Sequence, residues 1–356
     1  MKSVERDRTS GVSRAIPARN PCLGFASRRH CNYLRVHAFI RIRTEAFGDI
    51  RALLGIDANR YYKKAARPHS HPLLTRTDFV ATQSLYLLLH LQKPRAMESK
   101  DLRELAESLR NARLNRAPIA PPAKTYPKLD EHGAFEVQKI SVDLAVASGD
   151  RLVGYKLGNI AKAMQDAFGL DKPDHGFLLA STFRYEGTKI ALSDFVAPFV
   201  ELEPAFVLKG SLKGPNVTVA DVISAIDYAI PAIEIIDSRV KDWEIGLEDT
   251  LADNGSTGAV ILGGTPRRLT DLYLSDMRGY LKFNGEEIMA GNTKNILGNP
   301  INAVAWLVNR LAQYDVEMLP GQIIMPGSCL EAMRMDKKGH WSCTYEGWGT
   351  IDFDVE

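Results

Sequence analysis

The chain has 356 residues, 45% of them hydrophobic and 25% charged, with a net charge of +2, the balance of a soluble globular protein with room for a sizeable core in one large or two ordinary domains. Its longest apolar run, Phe79 to Leu91, is too short to cross a membrane and is interrupted by Gln83 and Ser84. Cys22, Cys31, Cys329 and Cys343 show no CxxC or zinc spacing, so reduced thiols in a cytoplasmic protein are expected.

Charge is unevenly distributed. Residues 1–96 hold 18 Lys and Arg against 6 Asp and Glu, whereas the remainder holds 27 against 37. The first 96 residues lack hydrophobic periodicity until about Thr77, and their arginines are scattered. A basic arm that binds nucleic acid is one reading. The favoured expectation is an extension upstream of a true start at Met97, disordered or forming isolated helices, with no nucleic-acid partner.

Leu102, Leu105, Ala106 and Leu109 predict an amphipathic helix from near Ser99, ended by "APIAPP". A second helix is expected over Ala134 to Ala147, with Phe135, Ile140 and Leu144 inward. Residues 97–150 thus form a helical N-terminal part. "RLVGYKLG" then reads as a strand carrying Lys156 among apolar neighbours, followed by a short helix from Asn159. Asp174 and His175 lie in "KPDHG", which reads as an exposed turn.

Phe199 to Leu208 is a strand in which Glu201 and Glu203 share a face, since side chains alternate with a period of two. The next helix, Val219 to Tyr228, opens on a Thr218–Asp221 capping box. It leads into "IPAIEIIDSR", where Glu234 sits between Ile233 and Ile235. A lone ionised carboxylate there costs several kcal/mol, so it must be protonated, paired or metal-bound. Three acidic oxygens without a Cys/His cluster favour a hard ion such as Mg²⁺ or Mn²⁺. The competing readings are a solvated Glu-x-Glu face, an Asp237–Arg239 ion pair, and neutralisation of Glu234 by Arg239 or Lys156.

Asp249, Asp253, Asn254 and Ser256 crowd a polar, solvated loop ahead of a strand. Asn284-Gly285 signals a type I′ hairpin, and Asn299-Pro300 the start of a helix with Ile301, Val304, Ala305 and Val308 buried. Short strands follow around "QIIMPGS" and "WSCTYEGWGTIDF". In "PGSC", backbone N–H groups at Gly327 and Ser328 are placed to receive a carboxylate. The expected class is α+β, a strand-rich body over 151–356 with few helices and no regular βαβ alternation.

In order and spacing, "GYKLG…KAMQ", "KPDHG", "VELEPAFVL", "GPNVT", "IPAIEIIDSR", "DTLADNGSTG", "LGNPINAVAWL" and "YEGWGTIDF" resemble the 2-keto-4-pentenoate hydratases. That group includes the 4-oxalocrotonate decarboxylases and belongs to the fumarylacetoacetate hydrolase superfamily. The resemblance runs from about Leu102 to the C-terminus. It implies a twisted β-roll with mixed sheets, homo-oligomers, a divalent metal on Glu201, Glu203 and Glu234, and Lys156 and Asp174 as catalytic residues. Asn254, Ser256, Gly327 and Ser328 are the substrate-binding candidates.

The implied activity is a hydro-lyase adding water to 2-hydroxypenta-2,4-dienoate in meta-cleavage catabolism of aromatic compounds. The alternatives are 4-oxalocrotonate decarboxylation, hydration of 2-oxohept-3-enedioate, or a catalytically weak subunit complexed with a sister decarboxylase or hydratase. A dicarboxylate substrate calls for a second basic group, for which Arg184 is the candidate. An acylpyruvate hydrolase is disfavoured by the lack of a His-x-x-Glu pair ahead of the metal strand. The chain departs from the family in reading "GNIAKAMQ" for "GLTSKAMQ", in placing Glu331 after "PGSC", and in "DKKGHW".

Overall fold

The computed structural model describes residues 97–160 and 172–356. The basic extension, the Phe79–Leu91 run, Cys22, Cys31 and the helix expected beyond Ile160 lie outside the described residues.

Helix α1 (Ser99–Asn115) buries Leu105, Ala106, Leu109 and Ala112, the stripe expected from its spacing. It ends at Arg116, which is left-handed at φ 51° and returns its N–H to the last turn. A single turn, α2 (Pro122–Thr125), precedes α3 (Glu131–Ala147). Helix α3 starts three residues before the expected Ala134 because the Asp130 side chain caps it, accepting from Gly133 N at 2.8 Å. Its buried face also differs: Ile140 and Leu144 are half-buried, while Ala134, Val137, Gln138 and Val142 join Phe135 inside. The helix packs on two sides. Ala134 and Val137 meet α1, and Phe135 and Val142 meet the main core.

The remaining helices are α4 (Val219–Ala225), α5 (Leu247–Ala252) and α6 (Pro300–Leu311). The strands are β1 (Leu152–Gly158), β2 (Asp174–Leu179), β3 (Phe183–Tyr185), β4 (Lys189–Ile190), β5 (Phe199–Leu208), β6 (Leu212–Lys213), β7 (Ile226–Ile236), β8 (Thr257–Leu262), β9 (Arg278–Phe283), β10 (Glu286–Asn292), β11 (Glu317–Met318), β12 (Ile323–Met325), β13 (Met333–Arg334), β14 (Gly339–Tyr345) and β15 (Gly349–Val355). The larger sheet runs β2-β1-β12-β5-β7-β8-β3, with β13 added to β5; a second runs β10-β9-β14-β15-β4. Strands β2 and β3 are opposite edges of the larger sheet, yet a three-residue 3-10 turn, Ala180–Thr182, joins them. The sheet therefore curls to bring its edges together.

Alternation along the curled sheet separates two surfaces. Val200, Leu202, Phe206 and Leu208 of β5 face the main core. Ala205 faces a second apolar cluster with Leu178, Ala232, Val260 and Met325. Glu201 and Glu203 share the parity of Ala205, and Glu234 that of Ala232. The register sets Glu201 opposite Glu234 and Glu203 opposite Ala232. One inner surface thus carries an apolar cluster and, farther along the same strands, the carboxylates.

Several local signals act as expected. Thr218 and Asp221 close a capping box, Asn284 and Gly285 both take positive φ between β9 and β10, and the Asn299 side chain caps α6. Helix α4, however, stops at Ala225 rather than Tyr228, because Ile226 and Tyr228 pair with Leu208 and Val207 of β5. The polar stretch at 249–256 is not a solvated loop. It contains most of α5, and Asp249, Thr250, Asp253 and Ser256 are buried. Arg239 holds it in place, bonding Asp253 through its side chain and carbonyl and donating to Thr257 O at 2.8 Å. Arg239 takes the Asp237 carbonyl and not its carboxylate, which accepts from the backbone N–H groups of Val196 and Ala197. No described helix is long and apolar enough to cross a membrane.

Replacing Arg239 with Met strands the fully buried Asp253 carboxylate. The expected loss is about 3–5 kcal/mol, against about 1 kcal/mol for Thr218→Ala, which removes only an exposed cap. Urea unfolding of the two variants measures both; equal losses would contradict the structural role given to Arg239.

Candidate active site

Glu201, Glu203 and Glu234 each offer an oxygen such that the three lie within 4.8 Å of one another. Glu203 and Glu234 are 0% exposed, while Glu201 is half-buried at the rim. One oxygen of Glu203, Oε2, accepts from Gly327 N at 2.8 Å. Its Oε1 and both oxygens of Glu234 have no hydrogen-bond partner among the described residues. Burial and the Glu234 charge push the Glu201 carboxyl up to about 8. Burial, Glu234 and Glu201 push Glu203 well above the carboxylate range. Burial also raises Glu234, with Lys156 opposing it.

Lys156, 2% exposed on β1, is the cation expected near this group. Its Nζ donates to Gly255 O at 2.7 Å and stands 3.7 Å from both Glu234 Oε2 and Asp174 Oδ1. Burial works against its charge, but Glu234, Asp174, Glu201 and Glu203 more than offset that and raise its pKa. Asp174 is not in an exposed turn. It is the first residue of β2, 1% exposed, and pairs across to Gly158. Gly158 leaves the room this needs: a Cβ there would lie 2.4 Å from Asp174 Oδ1 and 2.7 Å from Lys156 Nζ. Gly255 is similarly constrained, with φ +59° and the Lys156 chain 3.0 Å from where its Cβ would be.

Four carboxylates around one ammonium leave a strong negative excess if all are ionised. Buried oxygens without donors are costly, so the donor set fits a divalent cation held by hard oxygen ligands. Arg239 does not serve Glu234, being engaged with Asp253.

The other sequence candidates are placed as follows. Asn254 clamps β2, its amide accepting from Phe177 N and donating to Phe177 O. Ser256 donates to Asp253 at 3.3 Å. Gly327 N–H is held by Glu203, and Ser328 Oγ donates to Leu202 O. Arg184 is exposed, bonds the carbonyls of Ser181 and Phe183, and alternates with Phe183, which joins the inner cluster. It therefore faces away from the carboxylates and does not supply the second basic group. Sequence reading missed Asn159 and Thr250, which both bond Asp174. The signal for Thr250 was the "DTLADN" stretch, whose burial no local pattern announces.

Converging carboxylates beside one lysine, inside a curled sheet, form a donor set that could hold a hard cation. No family model matches the chain. Among curated proteins it is 35% identical over 254 residues to the 2-keto-4-pentenoate hydratase of Burkholderia vietnamiensis, spanning 71% of this chain and 97% of that one. It is 37% identical over 253 residues to the 2-oxo-hept-4-ene-1,7-dioate hydratase of Escherichia coli, spanning 69% and 95%. Among solved structures, 4-oxalocrotonate decarboxylase from Pseudomonas putida, complexed with magnesium and adipate, matches with a TM-score of 0.72 and 30% identity over 74% of this chain and all of that one. The chain belongs to the 2-keto-4-pentenoate hydratase family, and its α+β roll is the fold of the 4-oxalocrotonate decarboxylase structure.

His175, beside Asp174, packs edge-on against Phe135, and burial lowers its pKa to about 4. It is neutral when folded, whereas an unfolded histidine titrates near 6.5. Stability is therefore present above that value and lost as pH falls from 6.5 toward 4. Between pH 7 and pH 5 the loss from this residue is about 2 kcal/mol. Urea unfolding at both pH values should show that increment in the parent and not in His175→Phe; equal pH slopes would contradict it.

Proposed function

We propose that this chain is a divalent-metal-dependent hydratase that adds water to 2-hydroxypenta-2,4-dienoate, giving 4-hydroxy-2-oxopentanoate in the catabolism of aromatic ring-cleavage products. The observation that carries the reading is the trio of Glu201, Glu203 and Glu234, in which Glu203 Oε1 and both Glu234 oxygens lack a hydrogen-bond donor, beside Lys156 and Asp174. The curated relatives named as hydratases support the reaction class. Residues 151–356 form the catalytic roll and 97–150 its helical part, working as a homo-oligomer.

Glu201, Glu203 and Glu234 would hold Mg²⁺ or Mn²⁺, which when bound supplies Lewis-acid polarisation to the carboxylate and C2 oxygen of a 2-oxo acid. The chain's own groups handle the protons. Ketonisation removes a proton from the C2 hydroxyl and delivers one to C5, leaving a C3–C4 double bond conjugated with the C2 carbonyl. Water then adds at C4, and C3 takes a proton. Lys156 Nζ, anchored by Gly255 O, is the donor beside the site, and Asp174 Oδ1 is an acceptor 3.7 Å from it. The inner apolar cluster keeps bulk water from the far side.

The decarboxylase likeness supports a second reading, in which the same centre stabilises the dienolate left by loss of CO₂ from 4-oxalocrotonate. The outward-facing Arg184 weighs against it, because the dicarboxylate has a distal charge to be met.

The test uses the full chain, stripped of metal and then given Mg²⁺ or Mn²⁺. Loss of dienoate ultraviolet absorbance is expected only with metal, and no CO₂ from 4-oxalocrotonate. Glu203→Gln should lower turnover by at least about a hundredfold and weaken Mn²⁺ binding in calorimetry, with unfolding still cooperative. CO₂ release with the dienoate unchanged would move the assignment to decarboxylase. Full activity in Glu203→Gln would overturn the metal site.

A further inference from the structure

Asp174 Oδ2 receives two hydrogen bonds, from Asn159 Nδ2 at 2.6 Å and from Thr250 Oγ1 at 2.7 Å. Its other oxygen, Oδ1, is buried and has no hydrogen-bond partner among the described residues. Lys156 Nζ is 3.7 Å from Oδ1, an ion-pair distance rather than a hydrogen bond. The two oxygens of one carboxylate are thus treated differently: one is tied twice to the protein and the other is left open toward the lysine.

We propose that Asn159 and Thr250 are positioning residues that lock the Asp174 carboxylate plane and reserve Oδ1 for the reacting molecule. The inference rests on the role given to Asp174 under the proposed function. Turning the carboxylate about its Cβ–Cγ bond would break both bonds to Oδ2. The carboxylate can lie flat over β1 because Gly158 presents no Cβ.

The two donors come from different elements. Thr250 is held by α5, whose first turn is fixed by Asp249 accepting from Gly246 N and Ala123 N. Asn159 closes β1 at φ +53°, a left-handed conformation that Asn tolerates far better than an ordinary side chain.

The test measures kcat, KM and Mn²⁺ affinity with metal-loaded full-length protein and the dienoate. The variants are Asn159→Gly, which keeps the positive φ and loses the amide, Thr250→Val, Thr250→Ser, the Asn159→Gly/Thr250→Val double variant, and Asp174→Ala. Each single loss is expected to lower kcat about tenfold, with KM and Mn²⁺ affinity within about twofold. Thr250→Ser should restore kcat, and the double variant should approach Asp174→Ala. Unchanged kcat in the double variant, with Asp174→Ala inactive, overturns the positioning role and leaves the function standing. Losses that track Mn²⁺ affinity or unfolding, without rescue by serine, also overturn it. An active Asp174→Ala would instead sink the role of Asp174 itself.

Discussion

The structure depends on the burial of opposite charges within one curled sheet. Glu203 and Glu234 are completely buried, Lys156 and Asp174 nearly so, and no apolar interior tolerates that set unless its members compensate one another. Lys156 answers part of the charge, and the proposed divalent cation would answer the rest. Burial first, and the neighbouring carboxylates second, raise the carboxyls of Glu201 and Glu203. Such perturbed groups are the mark of a functional centre.

The fold exists to hold this set without letting it relax. Glu201 and Glu234 face each other by antiparallel register, so their separation is set by strand spacing rather than by flexible side-chain contacts. Lys156 comes from β1, which lies beyond β12 in the sheet, and reaches the carboxylates because the sheet curls. The Asn254–Ser256 turn completes the enclosure, with three consecutive positive φ values. It offers Gly255 O to Lys156 on one side and is braced by the Arg239–Asp253 pair on the other. A purely structural ion pair and the proposed catalytic lysine thus share one turn.

Much of this was legible in the sequence where local physics decides. The ten residues of β5 alternate as read, so Glu201 and Glu203 fall on one face. An apolar run around Glu234 announced a buried charge. Thr218–Asp221, Asn284-Gly285 and Asn299-Pro300 carry their own hydrogen-bonding or turn chemistry and needed no tertiary help. What failed was decided at long range. Asp174 looks like a turn residue until β1 pairs with it. Ile226 to Tyr228 continue a helical pattern until β5 recruits them. Asp253 and Thr250 look solvated until Arg239 and Asp174, distant in sequence, bond them. Asn159 gave no signal, because its value lies in a backbone angle and a partner fifteen residues away.

The central claim is that the three glutamates hold one divalent ion. Anomalous diffraction from crystals of the full chain grown with Mn²⁺ tests it directly. The account predicts a single strong peak bonded by one oxygen each from Glu201, Glu203 and Glu234, with Lys156 Nζ still on Gly255 O and outside the coordination sphere. A peak elsewhere, or none while Lys156 closes on Glu203 and Glu234 as an ion-paired plug, would contradict it.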